Sequence, residues 1–445
     1  MGDKHGKTGL YKVYSVFRNR LMEKWIPLVR IRYSGNEGEN FLRSGDHDFI
    51  VPPDSRDELL ETLFSVCCEH GCSFLLNRKK DIKSKAVLYD NRSHVSTVLE
   101  FWTSLEVGND PSSCRYIEWD RIKPLIRQRE NIRFLDISFE ALYYLSHLLT
   151  KGKETDSDSV KRRVAYYCKH DGIDEEVRAL YKELKKGIGI SVVGRKANKL
   201  LRSRGLLEGD RRINSGIRKL RLVLYKFGGI ILNRERVNRI IAVLGPDGVG
   251  KTAVIDGIVK KHGGKISTYR FKNYYRTSLL YRVLYPVYKW YVQRRDSRTY
   301  KRNQIEEMVS YQLYILSLIR YRINPGRMFS RKILIVDRYF HDYILTGSRL
   351  NEDGISRHRK WRELVGMIPK TLAFLQMDAD NETIHARRSE ISSAHIDAFR
   401  GEYFDLSMRC FSNYYVYLNN GSSLSDTLET LTRMIKRMKI LVSER

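Results

Sequence analysis

One continuous run narrows the folds open to this chain more than any other feature: Ile240-Ile241-Ala242-Val243-Leu244-Gly245-Pro246-Asp247-Gly248-Val249-Gly250-Lys251-Thr252. Its first five residues are all apolar, which suits a strand buried on both faces. Beyond the glycines, the apolar residues fall at Val254, Ile255, Ile258 and Val259, the spacing of a helix. A strand, a G-x-x-x-x-G-K-[ST] loop and a helix in that order build an anion cradle. Backbone N–H groups around Gly248 and Gly250 converge there, and the following helix adds its positive end. Lys251 is placed to meet the β- and γ-phosphates of ATP, and the Thr252 hydroxyl to ligate Mg²⁺. The expected nucleotide-binding set is therefore Gly245, Asp247, Gly248, Val249, Gly250, Lys251 and Thr252.

At 445 residues the chain has room for two or three domains, each with its own core. A net charge of +29 implies an anionic partner: a phosphorylated substrate, nucleic acid or an acidic lipid surface. No apolar run approaches the roughly 20 residues of a membrane span. Residues 1–6 carry no apolar signal-like stretch, so the expectation is a cytoplasmic protein, peripheral to a membrane if the basic surface serves lipid. The 6 cysteines lack paired metal-ligand spacing, which points to reduced thiols rather than a zinc site.

In the first half, residues 11–31 have helical spacing early and a strand-like end. Residues 57–68 then read as an amphipathic helix through Leu59, Leu60, Leu63, Phe64 and Cys67. Between them lies Gly45-Asp46-His47-Asp48-Phe49-Ile50-Val51. Carboxylates at alternate positions of a strand project from one face, the geometry for holding a divalent cation. Glu100, on the apolar strand 94–101, is the third candidate ligand. Over residues 30–180 these features resemble the nucleotidyltransferase superfamily, whose G-x-D-x-D strand and later acidic strand bind Mg²⁺ and a nucleoside triphosphate. The helical tail is 137–149 followed by 160–184. The resemblance implies Asp46, Asp48 and Glu100 as metal ligands. The sequence departs from it at 40–44 and in having Glu100 where aspartate is usual, so a degenerate domain that keeps the fold is the competing reading.

Residues 185–236 carry many Lys and Arg among Gly187, Gly189, Gly205 and Gly209 and read as a basic helical linker. Further on, residues 265–332 hold 16 Lys or Arg against 3 Asp or Glu, with aromatic residues interleaved around Tyr285, Tyr288, Trp290 and Tyr291. That segment concentrates positive charge after the phosphate loop. It reads either as a surface for the anionic acceptor or as a contact for nucleic acid or membrane.

A second buried strand, Lys332-Ile333-Leu334-Ile335-Val336-Asp337, ends in a carboxylate. A third, 371–378, ends in Asp378 and precedes a helix with Arg387 and Arg388. A last strand is read at 415–418 and a last helix at 424–441. An acid at the carboxyl end of a parallel strand beside the phosphate loop is where the Mg²⁺ shell is held, which selects Asp337.

In order and spacing, residues 237–445 resemble the thymidylate kinase family of nucleoside monophosphate kinases. The resemblance implies phosphoryl transfer from ATP, with Asp247 near the acceptor's sugar and Arg338 on its phosphate. It also implies that Lys251, Arg387 and Arg388 surround the transferring group. The family's Arg-Glu-Pro turn after the first helix is missing, its place taken by Arg270-Phe271-Lys272-Asn273-Tyr274-Tyr275-Arg276, which puts dTMP as substrate in doubt.

The fold expectation is thus an α/β chain. Residues 1–184 form an α+β nucleotidyltransferase-like domain, 185–236 a helical linker, and 237–445 a P-loop parallel sheet with helices on both faces. The expected activity is an ATP- and Mg²⁺-dependent phosphotransferase whose acceptor is a nucleotide or a phosphorylated or sugar-type metabolite. The alternative is a nucleotide-gated protein that grips nucleic acid or an anionic membrane through its basic surface.

Overall fold

The structure is a computed structural model. It describes residues 2–31, 46–79, 82–108, 115–129, 132–152, 157–207, 240–270, 286, 290, 333–337, 371–389, 392–410 and 414–438. In chain order the elements are α1 (Gly2–Glu23), β1 (Val29–Arg30), β2 (Asp46–Ile50), α2 (Arg56–Glu69), β3 (Ser73–Lys79), β4 (Lys83–Tyr89), β5 (Ser96–Trp102), β6 (Ser104–Val107) and β7 (Arg115–Glu118). Next come α3 (Trp119–Ile122), β8 (Ile126–Arg129), β9 (Ile132–Leu135), α4 (Ile137–Lys151), α5 (Asp158–Lys169), α6 (Glu175–Lys185) and α7 (Ile190–Ser203). The rest are β10 (Ile240–Leu244), α8 (Lys251–His262), β11 (Ile266–Arg270), β12 (Ile333–Asp337), β13 (Ala373–Asp378), α9 (Asn381–Arg387), α10 (Ser393–Cys410), β14 (Tyr414–Asn419) and α11 (Leu424–Arg437). The fold is mixed α/β, and no described helix is long and apolar enough to cross a membrane.

Residue contacts divide the chain into two units. Unit 1 takes Met1–His70, Arg78–Leu88 and Val95–Val223, and unit 2 takes Gly71–Asn77, Tyr89–His94 and Leu224–Arg445.

In unit 1 the strands lie in the order β4-β5-β2-β1-β9-β8. β2 runs parallel to β5 and antiparallel to β1, so the sheet is mixed. Alternation along β2 sends His47 and Phe49 to one face and Asp46 and Asp48 to the other. The Phe49 face is covered by α1: Tyr14 stacks on Phe49 and Phe17 packs edge-on to Phe101, with ring centroids 5.8 and 6.0 Å apart.

Helices α4 to α7 build a second cluster around Leu142, Leu145, Tyr167, Tyr181, Val193 and Leu201. Asp136 starts α4 by accepting from Ser138 N and Phe139 N, and Gly152 ends it in the left-handed conformation. The stretch read as one helix over 160–184 is two, because the turn at Asp171-Gly172 interrupts it and Asp174 caps a new helix through Val177 N. Part of the basic stretch read as linker also packs inward. Along α7 Val193, Ala197 and Leu201 are buried, and a Cβ at Gly194 would stand 2.7 Å from Leu149 Cβ, so this glycine lets α7 and α4 approach closely. Residues 208–239 lie outside the described residues.

Unit 2 is a mostly parallel sheet in the order β11-β12-β10-β13-β14-β3, with β3 antiparallel beside β14. β10 is buried at all five positions, as its unbroken apolar run requires. From β10 the chain moves outward to β11, returns through β12, then crosses to β13 and β14 on the other side. β10 is thus the strand at which the order reverses, and the carboxyl ends of β12, β10 and β13 open side by side there.

Candidate functional site

The loop after β10 sits at that reversal. Gly245 has φ +145°, and a Cβ on it would lie 2.4 Å from Met377 O, so only glycine lets the loop leave its strand against β13. Gly250 caps α8 with φ +91°, and a Cβ there would meet Asn420 Nδ2 at 2.7 Å. Val249 between them is buried, which anchors the loop's far side. The loop's shape is thus imposed by two neighbours, β13 and the end of β14.

Lys251 is the first residue of α8 and only 9% exposed. Its Nζ donates to Gly245 O at 2.7 Å and Pro246 O at 2.8 Å and lies 3.5 Å from Asp247 Oδ1. The ammonium is therefore held inside the curl of the loop. Thr252 and Asp247 are exposed on it. Asp337 ends β12 in register with Val243, so its carboxylate belongs to the same row of strand ends. From α9, Arg387 Nη1 donates to Gly248 O at 3.3 Å, and the Arg388 side chain packs beside Gly248. The structure therefore gathers Gly245, Asp247, Gly248, Val249, Gly250, Lys251, Thr252, Asp337, Arg387 and Arg388 around one loop. Arg338 lies outside the described residues, as does the basic segment 271–332 apart from residues 286 and 290.

Two parts of this site escape a motif search. Asn420 donates to Val249 O at 2.8 Å, accepts from Thr427 Oγ1 at 2.9 Å, and so ties the loop to α11. Its signal is positional: a polar residue at the carboxyl end of a parallel strand, as Asp337 is. The other is the mount under Asp378, which is 1% exposed. Its carboxylate accepts from Arg400 Nε at 2.7 Å, Tyr417 OH at 2.8 Å and Ala379 N at 2.8 Å. Arg400 also reaches Asn381 Oδ1 and Asp397 Oδ1, each at 2.6 Å. Burial opposes the Arg400 charge, but Asp378 and the other acceptors outweigh it, and its pKa is raised. Asp378 is thus a structural brace for the turn into α9.

The donor set at the loop is of the kind that suits a triphosphate: the N-terminus of α8 and the Lys251 ammonium lie together at one glycine loop. Thr252 and Asp337 supply the oxygens suited to Mg²⁺.

The acids of unit 1 are arranged differently. Asp48 and Glu100 are register partners on parallel β2 and β5, while Asp46 pairs with Val98 at the exposed start of β2. Glu100 is buried, and its two oxygens accept from two ammoniums, Lys83 Nζ in a short contact and Lys85 Nζ at 2.9 Å. Burial alone would raise the Glu100 carboxyl, but the two lysines outweigh it and hold it down at about 2. Lys83 shares that single carboxylate with Lys85, and its own pKa is lowered, mainly by burial; the carboxylate is the better-held partner. Among the described residues, no group of three acidic, histidine or cysteine side chains sits together as a metal site. Bringing a divalent cation to Glu100 means displacing two ammoniums, so Asp46, Asp48 and Glu100 in this arrangement do not fit Mg²⁺.

No family model and no curated protein matches the sequence. Among solved structures the chain is similar to thymidylate kinase from Ehrlichia chaffeensis, at TM-score 0.28 and 15% identity, over 45% of this chain and 97% of that one. A likeness of that size decides neither fold nor activity.

Proposed function

We propose that the chain is an ATP- and Mg²⁺-dependent phosphotransferase of the nucleoside monophosphate kinase type, acting through unit 2. The observation that supports it best is Lys251, an ammonium held by backbone carbonyls inside a glycine curl at the reversal point of a parallel sheet. In this reading the triphosphate enters the curl and is met by the N–H groups of residues 248–252. Lys251 exchanges its carbonyl partners for the β- and γ-phosphate oxygens. Arg387 and Arg388 approach from α9 to offset the charge that gathers on the transferring group. Arg338 is assigned to the acceptor's phosphate, and Asp247 to its sugar. Thr252 and Asp337 would hold Mg²⁺, whose contribution when bound is charge neutralisation between the phosphates. The reaction then needs position and charge more than covalent help.

The acceptor is a nucleotide or a phosphorylated or sugar-type metabolite. A screen of ATP consumption against nucleoside monophosphates and sugar phosphates tests this, with turnover of at least one acceptor expected and dTMP among the poor ones. The fixed arginine that clamps a phosphate needs its Glu-Pro turn, and a clamp misplaced by about 1 Å costs about a hundredfold. A turnover of dTMP near the median enzyme rate of about 10 per second would return plain thymidylate kinase to first place.

The lysine-held Glu100 supports a second reading for unit 1 alone: a nucleotidyltransferase-like domain without metal-dependent transfer. If unit 2 also fails to turn over, the chain is instead a nucleotide-gated binder of nucleic acid or anionic membrane. Steep salt dependence of binding to a polyanion is its signature.

A further inference from the structure

The side-chain amide of Asn420 faces Val249 O, and a carbonyl oxygen only accepts, so the atom 2.8 Å from it is the Nδ2 donor. The amide oxygen is left to accept from Thr427 Oγ1 at 2.9 Å. The backbone N–H of Asn420 donates to Asp378 O at 2.6 Å. Asn420 is 6% exposed and Thr427 is fully buried. The amide is thus held at three points, in one orientation.

Val249 O and the Gly250 N–H belong to one planar trans peptide and point in opposite directions. Anchoring the carbonyl on Asn420 therefore turns the Gly250 N–H away from Asn420. Rotating that peptide would break the bond to Val249 O and leave a buried donor without an acceptor. A Cβ at Gly250 would stand 2.7 Å from Asn420 Nδ2, so the amide comes this near only to glycine. The preceding peptide is held less firmly. Gly248 O accepts from Arg387 Nη1 at 3.3 Å, but Arg387 is exposed, and in the proposed reaction it moves onto the phosphates. Asn420 is buried and keeps its hold.

We infer that Asn420 is a positioning residue for phosphoryl transfer: it keeps the Gly250 N–H presented to the phosphates of ATP, with Thr427 fixing which end of its amide meets the loop. This role rests on the phosphotransferase reading of unit 2. Asn420 acts through the loop and meets no phosphate itself, so its removal weakens the grip on the phosphate chain.

The test titrates the full chain with ADP and Mg²⁺ by calorimetry between pH 8 and pH 5, each variant being compared with the parent at the same pH. Asn420→Asp keeps the shape but turns the donor into an acceptor, and at pH 8 it should bind ADP about tenfold more weakly, the size of one lost hydrogen bond. Protonation restores a donor, and burial against a carbonyl oxygen brings that protonation above the ordinary carboxyl range. The deficit should therefore shrink to within about threefold by pH 5. Asn420→Ala has no donor at any pH, so its deficit should stay constant. Thr427→Val lets the amide turn over and should cost about threefold without pH dependence. A merely structural asparagine would lower the melting midpoint in all three variants with no return of affinity in acid. If the parent does not bind ADP, the phosphotransferase reading falls and this role with it. If the parent binds, the role alone is overturned by any of three results: Asn420→Asp matching the parent at pH 8, its deficit persisting unchanged at pH 5, or the deficit of Asn420→Ala shrinking in step with it. Should the Asn420 variants fail to fold, Thr427→Val decides, and an affinity equal to the parent's overturns the role.

Discussion

Each unit holds a buried charge where a nucleotide-handling motif predicts one, and the two differ in what surrounds that charge. In unit 2 the Lys251 ammonium is held by neutral carbonyls and skirted by the exposed Asp247. In unit 1 the Glu100 carboxylate is held by two full positive charges. Exchanging a carbonyl for a phosphate oxygen replaces one hydrogen bond with a stronger, charge-assisted one. Stripping a buried carboxylate of its cation costs about 3 to 5 kcal/mol, which an entering Mg²⁺ must first overcome. A motif thus places the residues, and the charge balance around them decides whether the place is receptive to a ligand or already satisfied.

The largest effect is expected from the balanced pair inside unit 2. Arg400→Ala leaves the Asp378 carboxylate buried without its cation, so unfolding by urea should show a loss of about 3 to 5 kcal/mol. A loss below about 1 kcal/mol would mean that balanced buried pairs here are not structural, and the contrast between the units would lose its basis.

Next comes Lys251→Ala, which should reduce ATP turnover about a hundredfold to a thousandfold. It should move the melting midpoint by no more than about 4 °C, because the bonds described for Lys251 go to two carbonyls and to the exposed Asp247. Unchanged turnover with a normal melting curve removes the kinase reading.

The third concerns acid. The Glu100 pKa in the folded protein, about 2, lies below its ordinary value of 4.5. Its contribution to stability is therefore complete above that ordinary value and is lost as pH falls from there toward 2. Glu100→Gln should be less stable than the parent at neutral pH, and the gap should close over that window in melts taken from pH 6 downward. A gap that stays constant to the lowest pH would show that the lysines do not hold the carboxylate.

The smallest effect is expected from Asp46→Asn with Asp48→Asn. ATP turnover should stay within about twofold of the parent, since Asp46 and Asp48 belong to unit 1 and the phosphate loop to unit 2. Loss of turnover would show that the acids of unit 1 serve the chemistry after all.

The sequence made much of this arrangement legible, and its failures have a common cause. The strands at 240–244, 333–337 and 373–378 and the helix at 251–262 follow from local apolar runs and periodicity, and so does the phosphate loop between them. The helix expected over 57–68 is found at Arg56–Glu69 for the same reason. Asn420, Arg400, Lys83 and Lys85 carry no motif or periodic signal, because each acquires its role from a partner distant in sequence. Asn420 bonds to a residue 171 positions away, and Lys83 to one 17 away on another strand. Periodicity carries no information about such partners. The same limit made Glu100 read as a metal ligand: the acid is visible in the sequence, and the lysines beside it are not.

The antiparallel strand β3 has a consequence for how the chain is made. Its pairing joins Phe74 to Tyr417 and Asn77 to Tyr414, so one segment must wait for another synthesised much later. At a translation rate of about 5 to 20 residues per second, that delay is tens of seconds. Throughout it Phe74, Leu75 and Leu76, all buried in the finished protein, have no β14 to pair with. A hydrophobic strand without its neighbour invites pairing with another chain. Yield on expression should therefore depend on elongation speed and chaperone supply, and a chain cut short before residue 414 should aggregate even with every element of unit 1 intact.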